Sequence, residues 1–531
     1  MLLRLLSKRL RRGADARTAL PPWVDELLRA WQARDIQPPY PLALLHARPG
    51  RARLAAALAN GEPWEEAHFW IEEARRQSGK AGEEAVDLLL QAELCLAHGR
   101  DVAAAEAALE ELHAGDGAVA MRAGVLLSWR LWLRGEMARL RAIARRLAAG
   151  APDSPASRVL IGISDEMEGR PEAALQSFRQ AHQAAPDSAQ TIGLLAQALL
   201  LRRQWREGFE MFGRIPGPHA DYVDAQACPV WRGEPLAGKR LLAVATLLFG
   251  DQMQLMRFVR EVRAAHPGVH VATTLPPALT RLVAGSGLFD EIVPADVPRE
   301  RFDAQIGYHE LPVALGLAAQ APVWHGPYLR VASEEIAQAA AWLPAVPQAA
   351  MQPSLQPGLQ PALQPASQPA LQPGVRRVGL RWYGSGSEIN GIRSMPLAEL
   401  RPLFDVPGIE WVALAEEPAA LRAAAGTPLL DVSAHLRDFA ATAALMHQLD
   451  LVLTVDTSVA HLAGALGRPA WVMTRPDPEW RWGIGTPETP WYPDLRLFRH
   501  PPGGFDRAAV IRDVARALAQ WCAQAQTAAQ A

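Results

Sequence analysis

The stretch that decides the fold is Leu449-Asp-Leu-Val-Leu-Thr-Val-Asp-Thr-Ser-Val-Ala-His-Leu-Ala-Gly-Ala-Leu-Gly-Arg-Pro-Ala-Trp471. Its apolar run, 451–455, predicts a strand buried on both faces, as parallel strands are. Asp456-Thr457-Ser458 follows, residue types that cap a helix. Residues 459–466 then predict a small-residue helix, ended by Gly467 and kept from continuing by Pro469. Trp471-Val-Met473 opens another strand. A strand running into a capped helix points free N–H groups and a positive dipole end at one spot, which suits a diphosphate. Asp456 and His461 put two ionisable groups on its rim. The same residues also fit an ordinary strand–helix turn with a capping aspartate and a structural histidine.

Working outward, the alternation of strand and helix persists. Upstream, 240–245, 269–273 and 289–293 read as strands, Gly250-Asp251 as a turn, and 252–265 and 277–284 as helices. From Arg376 onward, 378–382 and 410–414 read as strands. Residues 397–403 and 439–449 read as helices, and a last amphipathic helix covers 507–525. Such alternation argues two parallel α/β sheets. Between them Gln-Pro recurs every four residues from Gln352 to Gln372, a polyproline-like linker with little to bury.

Residues 50–217 are rich in Ala, Leu and Glu with helical periodicity. Gly99, Gly135 and Gly169 are spaced by 36 and 34 residues, close to the roughly 34-residue period of tetratricopeptide repeats. Gly162 falls in the first helix of the best unit, Ala174, Phe178 and Ala181 mark the packed face of its second, and Pro186 closes it. The next unit carries Arg203 where a turn glycine belongs. This resembles a degenerate tetratricopeptide array, a solenoid whose concave face commonly holds a peptide or partner; a helical spacer with no ligand fits the same pattern. The expected division is a basic helical segment 1–49, helical repeats 50–217, an α/β domain 218–346, the linker 347–375, and a second α/β domain 376–531.

Bulk properties exclude several classes. The chain has 531 residues, 49% hydrophobic and 21% charged, with a net charge of −2, so nothing favours nucleic acid. Cys95, Cys228 and Cys522 lie far apart, without metal or disulfide spacing, which suits a reducing cytosol. No apolar run spans a bilayer. Residues 1–12 are basic and apolar, and could touch an anionic membrane surface peripherally.

Two α/β domains with a linker and a final helix look like a GT-B glycosyltransferase. Gly250-Asp251…Arg257 resembles the Gly-Asp…Arg segment of heptosyltransferase-type (family 9) enzymes. Arg393-Ser-Met-Pro396 resembles their basic-residue-x-x-Pro segment, and Asp456-Thr-Ser-Val-Ala-His461 their Asp-Thr-x-x-x-His motif. Trp480-Arg-Trp482…Trp491-Tyr-Pro493…Leu497-Phe-Arg499 resembles bacterial proteins that fuse tetratricopeptide repeats to such a domain. The likeness covers roughly 85–525 and is strongest over 431–500. O-GlcNAc transferases share the repeat-plus-GT-B plan, but their C-terminal motifs are not evident. Relatives carry Gly-x-Gly-Asp in the first loop; here Leu248 takes the place of the first glycine.

The resemblance implies an inverting transfer from a nucleotide-diphosphate sugar, with no cofactor and no metal; the chain contains no Asp-x-Asp. Asp251 would be the base that takes the acceptor hydroxyl's proton; a helix-capping aspartate is the alternative. Arg393 would clamp the diphosphate with its planar fork, and Thr457 and Ser458 would add hydroxyl and backbone hydrogen bonds. Asp456 and His461 would orient the sugar or ribose, or hold the loop; His461 could instead be a core histidine under Trp471. Gly250, Gln254, Ser385, Trp480, Arg481 and Trp482 are possible substrate contacts. The tryptophans could stack on a base or sugar, or brace the hinge. The acceptor would be a protein presented by the repeats, such as flagellin or another surface protein. A lipid-linked glycan, with the basic N-terminus on the inner membrane, and an inactive repeat scaffold are the alternatives. The expected compartment is the bacterial cytoplasm.

Overall fold

The computed structural model describes residues 81–97, 99–215, 228–317, 324–344, 375–384, 390–501 and 505–530. The 1–49 segment, the start of the repeats, almost all of the 347–375 linker and Ser385 lie outside the described residues. The chain divides into two compact units, the boundary falling between Arg130 and Leu131.

In the first unit the helices Ala81–Ala97 and Val102–Ala114 pack as a hairpin over Leu89, Leu90, Ala105 and Leu109. Glu93 pairs with Arg122 at 2.8 Å and Glu106 with Arg130 at 3.0 Å. The second unit carries further hairpins: Met137–Gly150 beside Pro155–Met167, then Pro171–Ala184, Ala189–Leu201 and Trp205–Gly213. Ser154 and Ser188 cap two of these helices through their side chains, satisfying backbone N–H groups that the helix leaves open. Gly162 accepts the Phe178 ring against its bare backbone, and Ala174 and Ala181 are buried as expected. The turns at Gly99, Gly135, Gly169 and Arg203 all have positive φ, 63°, 74°, 71° and 60°. The recurring glycine therefore marks a left-handed turn, and Arg203 holds that conformation without being glycine.

Two parallel sheets follow. The first contains β1 (Arg240–Val244), β2 (His270–Thr274), β3 (Glu291–Val293) and β4 (Ala304–Gly307), in the order β3-β2-β1-β4. The second contains β5 (Arg376–Arg381), β6 (Ile409–Ala413), β7 (Leu429–Asp431), β8 (Leu451–Val455), β9 (Ala470–Met473) and β10 (Leu495–Phe498). Its order is β10-β9-β8-β5-β6-β7. β8 is buried at all five positions, which its unbroken apolar run requires. Its core joins Leu451, Leu453 and Val455 to Val378, Leu380, Trp411 and the final helix through Val510, Val514 and Leu518. Each such side chain contributes roughly 1.5–3 kcal/mol on burial.

In each sheet the chain builds outward on one side, then returns to the other side of its first strand. The reversal falls between β1 and β4 in the first sheet and between β5 and β8 in the second. In open α/β sheets this is where loops diverge and leave a crevice at the strands' C-terminal ends.

Several local expectations are corrected. The predicted 252–265 helix starts earlier, at Phe249, and is interrupted by a 3-10 turn at Met256–Phe258 before resuming at Val259–Ala265. Residues 397–400 form turns, and the helix expected there is only Arg401–Phe404, starting with Pro402 in its first turn. β4, β7 and β10 were not anticipated.

Candidate functional site

The loop after β1 delivers Asp251. Leu247 has φ 70°, left-handed for a leucine; such strain persists only where surrounding structure enforces it. Leu248 is extended at φ −85°, a conformation open to any residue. Its side chain is 74% exposed. Gly250 and Asp251 are not in a turn but in the first turn of the Phe249–Leu255 helix. Asp251 Oδ2 accepts the Leu248 backbone N–H at 3.1 Å, so it caps from three residues inside the helix rather than from the N-cap itself. Its other oxygen pairs with Arg481.

The loop after β8 delivers the opposing wall. Thr457 is the N-cap of the Ser458–Ala465 helix and accepts the Val459 N–H at 3.3 Å. Asp456 is buried, and its Oδ2 has no hydrogen-bond partner. Ser458 is partly buried at the helix start. His461 is buried one turn on. Its Nδ1 lies 3.0 Å from the Tyr492 hydroxyl. Its ring stacks on Trp482 at 5.2 Å and 26°, not on Trp471. Burial, then the positive charges of Arg257 and Arg393, push its pKa down to about 3. His461 is therefore neutral at physiological pH and serves the packing of the site.

The two walls meet. A Cβ placed on Gly250 would come within 2.7 Å of His461 Cδ2, so only glycine lets the helix after β1 approach the helix after β8 this closely. The helices that follow β1 and β8, strands at the two reversal points, thus pack against each other.

Arg393 sits in the Asn390–Arg393 turn of the second α/β domain. Its Nε is buried without a partner. Its charge reaches His461 and Glu479, and Asp456 also acts on Glu479. An unpaired guanidinium nitrogen and an unpaired carboxylate oxygen beside one helix N-terminus suit a ligand that offers both anionic oxygens and hydroxyl hydrogens.

Trp480, Arg481 and Trp482 are fully inside, in a 3-10 turn. Trp480 packs edge-on against Phe209, Phe212 and Trp491 at 5.2–5.8 Å. Trp205 meets Trp491 at 5.9 Å. These rings lock the Trp205–Gly213 helix onto the second α/β domain, so stacking on a ligand is replaced by bracing. Gln254 is likewise buried, its Oε1 accepting Arg481 Nε at 2.5 Å. Arg257 is enclosed by the rings of Trp324, Tyr328, Trp491 and Tyr492 at 4.7–5.5 Å and donates to the Trp491 carbonyl at 2.9 Å. It is a structural bridge between the domains.

Sequence reasoning missed the buried charges Arg475 and Asp477 and the half-buried Glu479 beside them. Their signal was present in Thr474-Arg-Pro-Asp-Pro-Glu479. A charged residue stands at every second position, and the chain bends at 476–477 to bring the three together. Among the described residues no group of three or more His, Cys, Asp or Glu side chains could hold a metal ion, and no helix is long and apolar enough to cross a membrane.

No family model and no curated protein matches this chain. Among solved structures it is similar to a glycosyl transferase family 9 protein from Veillonella parvula DSM 2008, with 12% identity over 54% of this chain and 99% of the other, TM-score 0.38. It is also similar to the E. coli heptosyltransferase WaaC with ADP-2-deoxy-2-fluoro heptose, 15% identical over 54% and 99%, TM-score 0.33. A mutant O-GlcNAc transferase from Thermobaculum terrenum aligns with 85% of this chain and 95% of its own, 15% identical, TM-score 0.30. Likenesses this loose carry no argument about activity.

Proposed function

We propose that this chain is a metal-independent, inverting glycosyltransferase that moves a sugar from a nucleotide-diphosphate sugar to a hydroxyl of a protein held by its helical repeats. The observation that carries this reading is the meeting of the Phe249–Leu255 and Ser458–Ala465 helices, which follow strands at the two reversal points. Asp456, with its unpaired Oδ2, precedes the Ser458–Ala465 helix, Arg393, with its unpaired Nε, acts by its charge on His461 in that helix's first turn, and Asp251 comes from the facing helix. Arg393 and the helix dipole would hold the diphosphate and stabilise it as it leaves. Asp456 would accept a sugar or ribose hydroxyl. Asp251 would take the acceptor's proton while its oxygen bonds to the anomeric carbon and the carbon–diphosphate bond breaks. Three buried free cysteines fit a reducing cytoplasm.

The test is nucleotide-diphosphate release from a panel of nucleotide sugars, with Asp251→Asn as the variant. Turnover should fall at least about a hundredfold, the loss expected for a missing general base, while nucleotide binding survives. Equal turnover by the variant would reject Asp251 as the base. One observation favours a second reading, an inactive repeat scaffold: both Asp251 oxygens are already occupied, by the Leu248 N–H and by Arg481. On that reading the wild type releases nothing.

A further inference from the structure

Trp132 is joined to Asp251 by a line of buried and half-buried charges. Arg475 Nε donates to the Asp477 backbone carbonyl at 2.7 Å and lies 3.1 Å from Asp477 Oδ1. Arg475 Nη1 is 3.4 Å from Glu479 Oε1. Arg481 donates from Nη1 to Glu479 Oε2 at 2.9 Å and from Nη2 to Asp251. At the far end Trp132, in the Gly117–Arg134 helix, donates its indole N–H to Asp477 Oδ2 at 3.1 Å. The Arg475 guanidinium sits 5.8 Å from the Trp132 ring centre. The order is therefore indole N–H, carboxylate, guanidinium, carboxylate, guanidinium, Asp251.

Other groups face this line. Glu166, from the Pro155–Met167 helix, and Asp456 act on Asp477. Arg393 and Asp456 act on Glu479, and Gln254 accepts from Arg481. Charges shielded from water interact strongly, and each member's choice of partner depends on how well its neighbour is satisfied. The indole N–H favours the ionised form of Asp477, which burial opposes; without it Asp477 holds a proton more readily and pairs less with Arg475. Arg475 then leans on the next carboxylate, Glu479, which holds Arg481 less. Arg481 then bears harder on Asp251, whose carboxylate becomes a weaker base.

We propose that Trp132 is a positioning residue for the transfer reaction, acting on Asp251 through Asp477, Arg475, Glu479 and Arg481. The helical array is then part of the catalytic apparatus and not a detachable receptor. The catalytic half of this inference rests on the glycosyltransferase reading; the coupling is a property of the fold alone.

The experiment uses the full chain and the variants Trp132→Phe, Asp251→Asn and their combination. Phenylalanine keeps a ring beside Arg475 and removes the N–H together with part of the indole's bulk. Trp132 and Asp251 stand at opposite ends of this line, and independent sites would give additive changes in melting temperature. Coupling along the line should make the double variant depart from additivity by about 1–2 °C; strict additivity overturns the inference. The second readout is nucleotide-diphosphate release from saturating nucleotide sugar. Trp132→Phe should lower turnover by about tenfold, the weight of one charge-assisted hydrogen bond, with KM for the nucleotide sugar within about twofold. Asp477→Asn, which keeps an acceptor for the indole but removes the charge, should act in the same direction. Unchanged turnover in Trp132→Phe overturns the positioning role. If the wild type turns over no nucleotide sugar, the activity reading fails, and the melting cycle by itself decides the coupling.

Discussion

Replacing Gly250 by alanine tests whether the helix after β1 packs against the helix after β8. The new Cβ would lie 2.7 Å from His461 Cδ2, about 1 Å inside ordinary carbon–carbon contact. The imidazole cannot retreat, because Tyr492 tethers it at 3.0 Å and Trp482 backs it at 5.2 Å. Forcing a methyl into such a site costs about 1–3 kcal/mol, set against a helix-propensity gain of up to about 1 kcal/mol. Gly193 is the control: it lies inside the Ala189–Leu201 helix, and a Cβ there meets nothing within 4 Å. Gly193→Ala should therefore stabilise by up to about 1 kcal/mol, whereas Gly250→Ala should be neutral or destabilise by up to about 2 kcal/mol. Urea unfolding of both variants reads the gap directly. Equal stabilisation by the two substitutions would mean that the Phe249–Leu255 and Ser458–Ala465 helices do not touch.

Arg203→Gly should raise stability by about 1 kcal/mol, since Arg203 carries a left-handed φ of 60° that glycine adopts without penalty; calorimetry checks it, and a loss would show that the arginine side chain outweighs the strain. Arg481→Met should cost about 3–5 kcal/mol because it leaves Asp251, Glu479 and Gln254 facing an apolar group; a change under about 1 kcal/mol would mean the pairs are solvated. Stability should also fall in mild acid. Burial first, then Arg257 and Arg393, hold His461 down to about 3, and burial first, then Arg507, holds His500 down to about 4, while the unfolded chain protonates its histidines near 6.5. Their contribution is therefore complete above about pH 6.5 and is lost as the pH falls toward 4, at up to about 1.4 kcal/mol per unit for each. Burial raises the Asp477 and Glu479 carboxyls, which works the other way and offsets part of this slope. His461→Gln should flatten the urea midpoint between pH 6.5 and 4; an unaltered slope would place the titration elsewhere.

Much of the architecture was legible because periodicity states it. The run 451–455 is apolar at every position and became a strand buried at every position. Thr457 and Gly467 bound the next helix with a cap and a left-handed stop, φ 65°. β4, β7 and β10 escaped notice because they are three or four residues long and their alternation is brief. The site was legible as residue types but not as partnerships. Asp251 and Arg481 stand 230 positions apart, and no local rule brings them together. Trp480 and Trp482 looked available because Pro and Gly surround them, yet the neighbours that cover them, Phe209, Phe212 and His461, come from other elements. Burial of that kind is a tertiary fact, and only the packing of the helical hairpins against the second sheet reveals it.

The central claim is that Arg393, Asp456 and the Ser458–Ala465 N-terminus form a nucleotide-sugar site. The most direct measurement is a melting-temperature screen of the full chain against nucleoside diphosphates and nucleotide sugars, with Arg393→Ala beside the wild type. Ligand that binds the folded state raises the midpoint by RT ln(1 + [L]/Kd) of stability, roughly 2.7 kcal/mol at a hundredfold excess over Kd. The account predicts a shift with one class of nucleotide sugar and its loss in Arg393→Ala. No shift with any of them at millimolar concentration, or an equal shift in the variant, would contradict it.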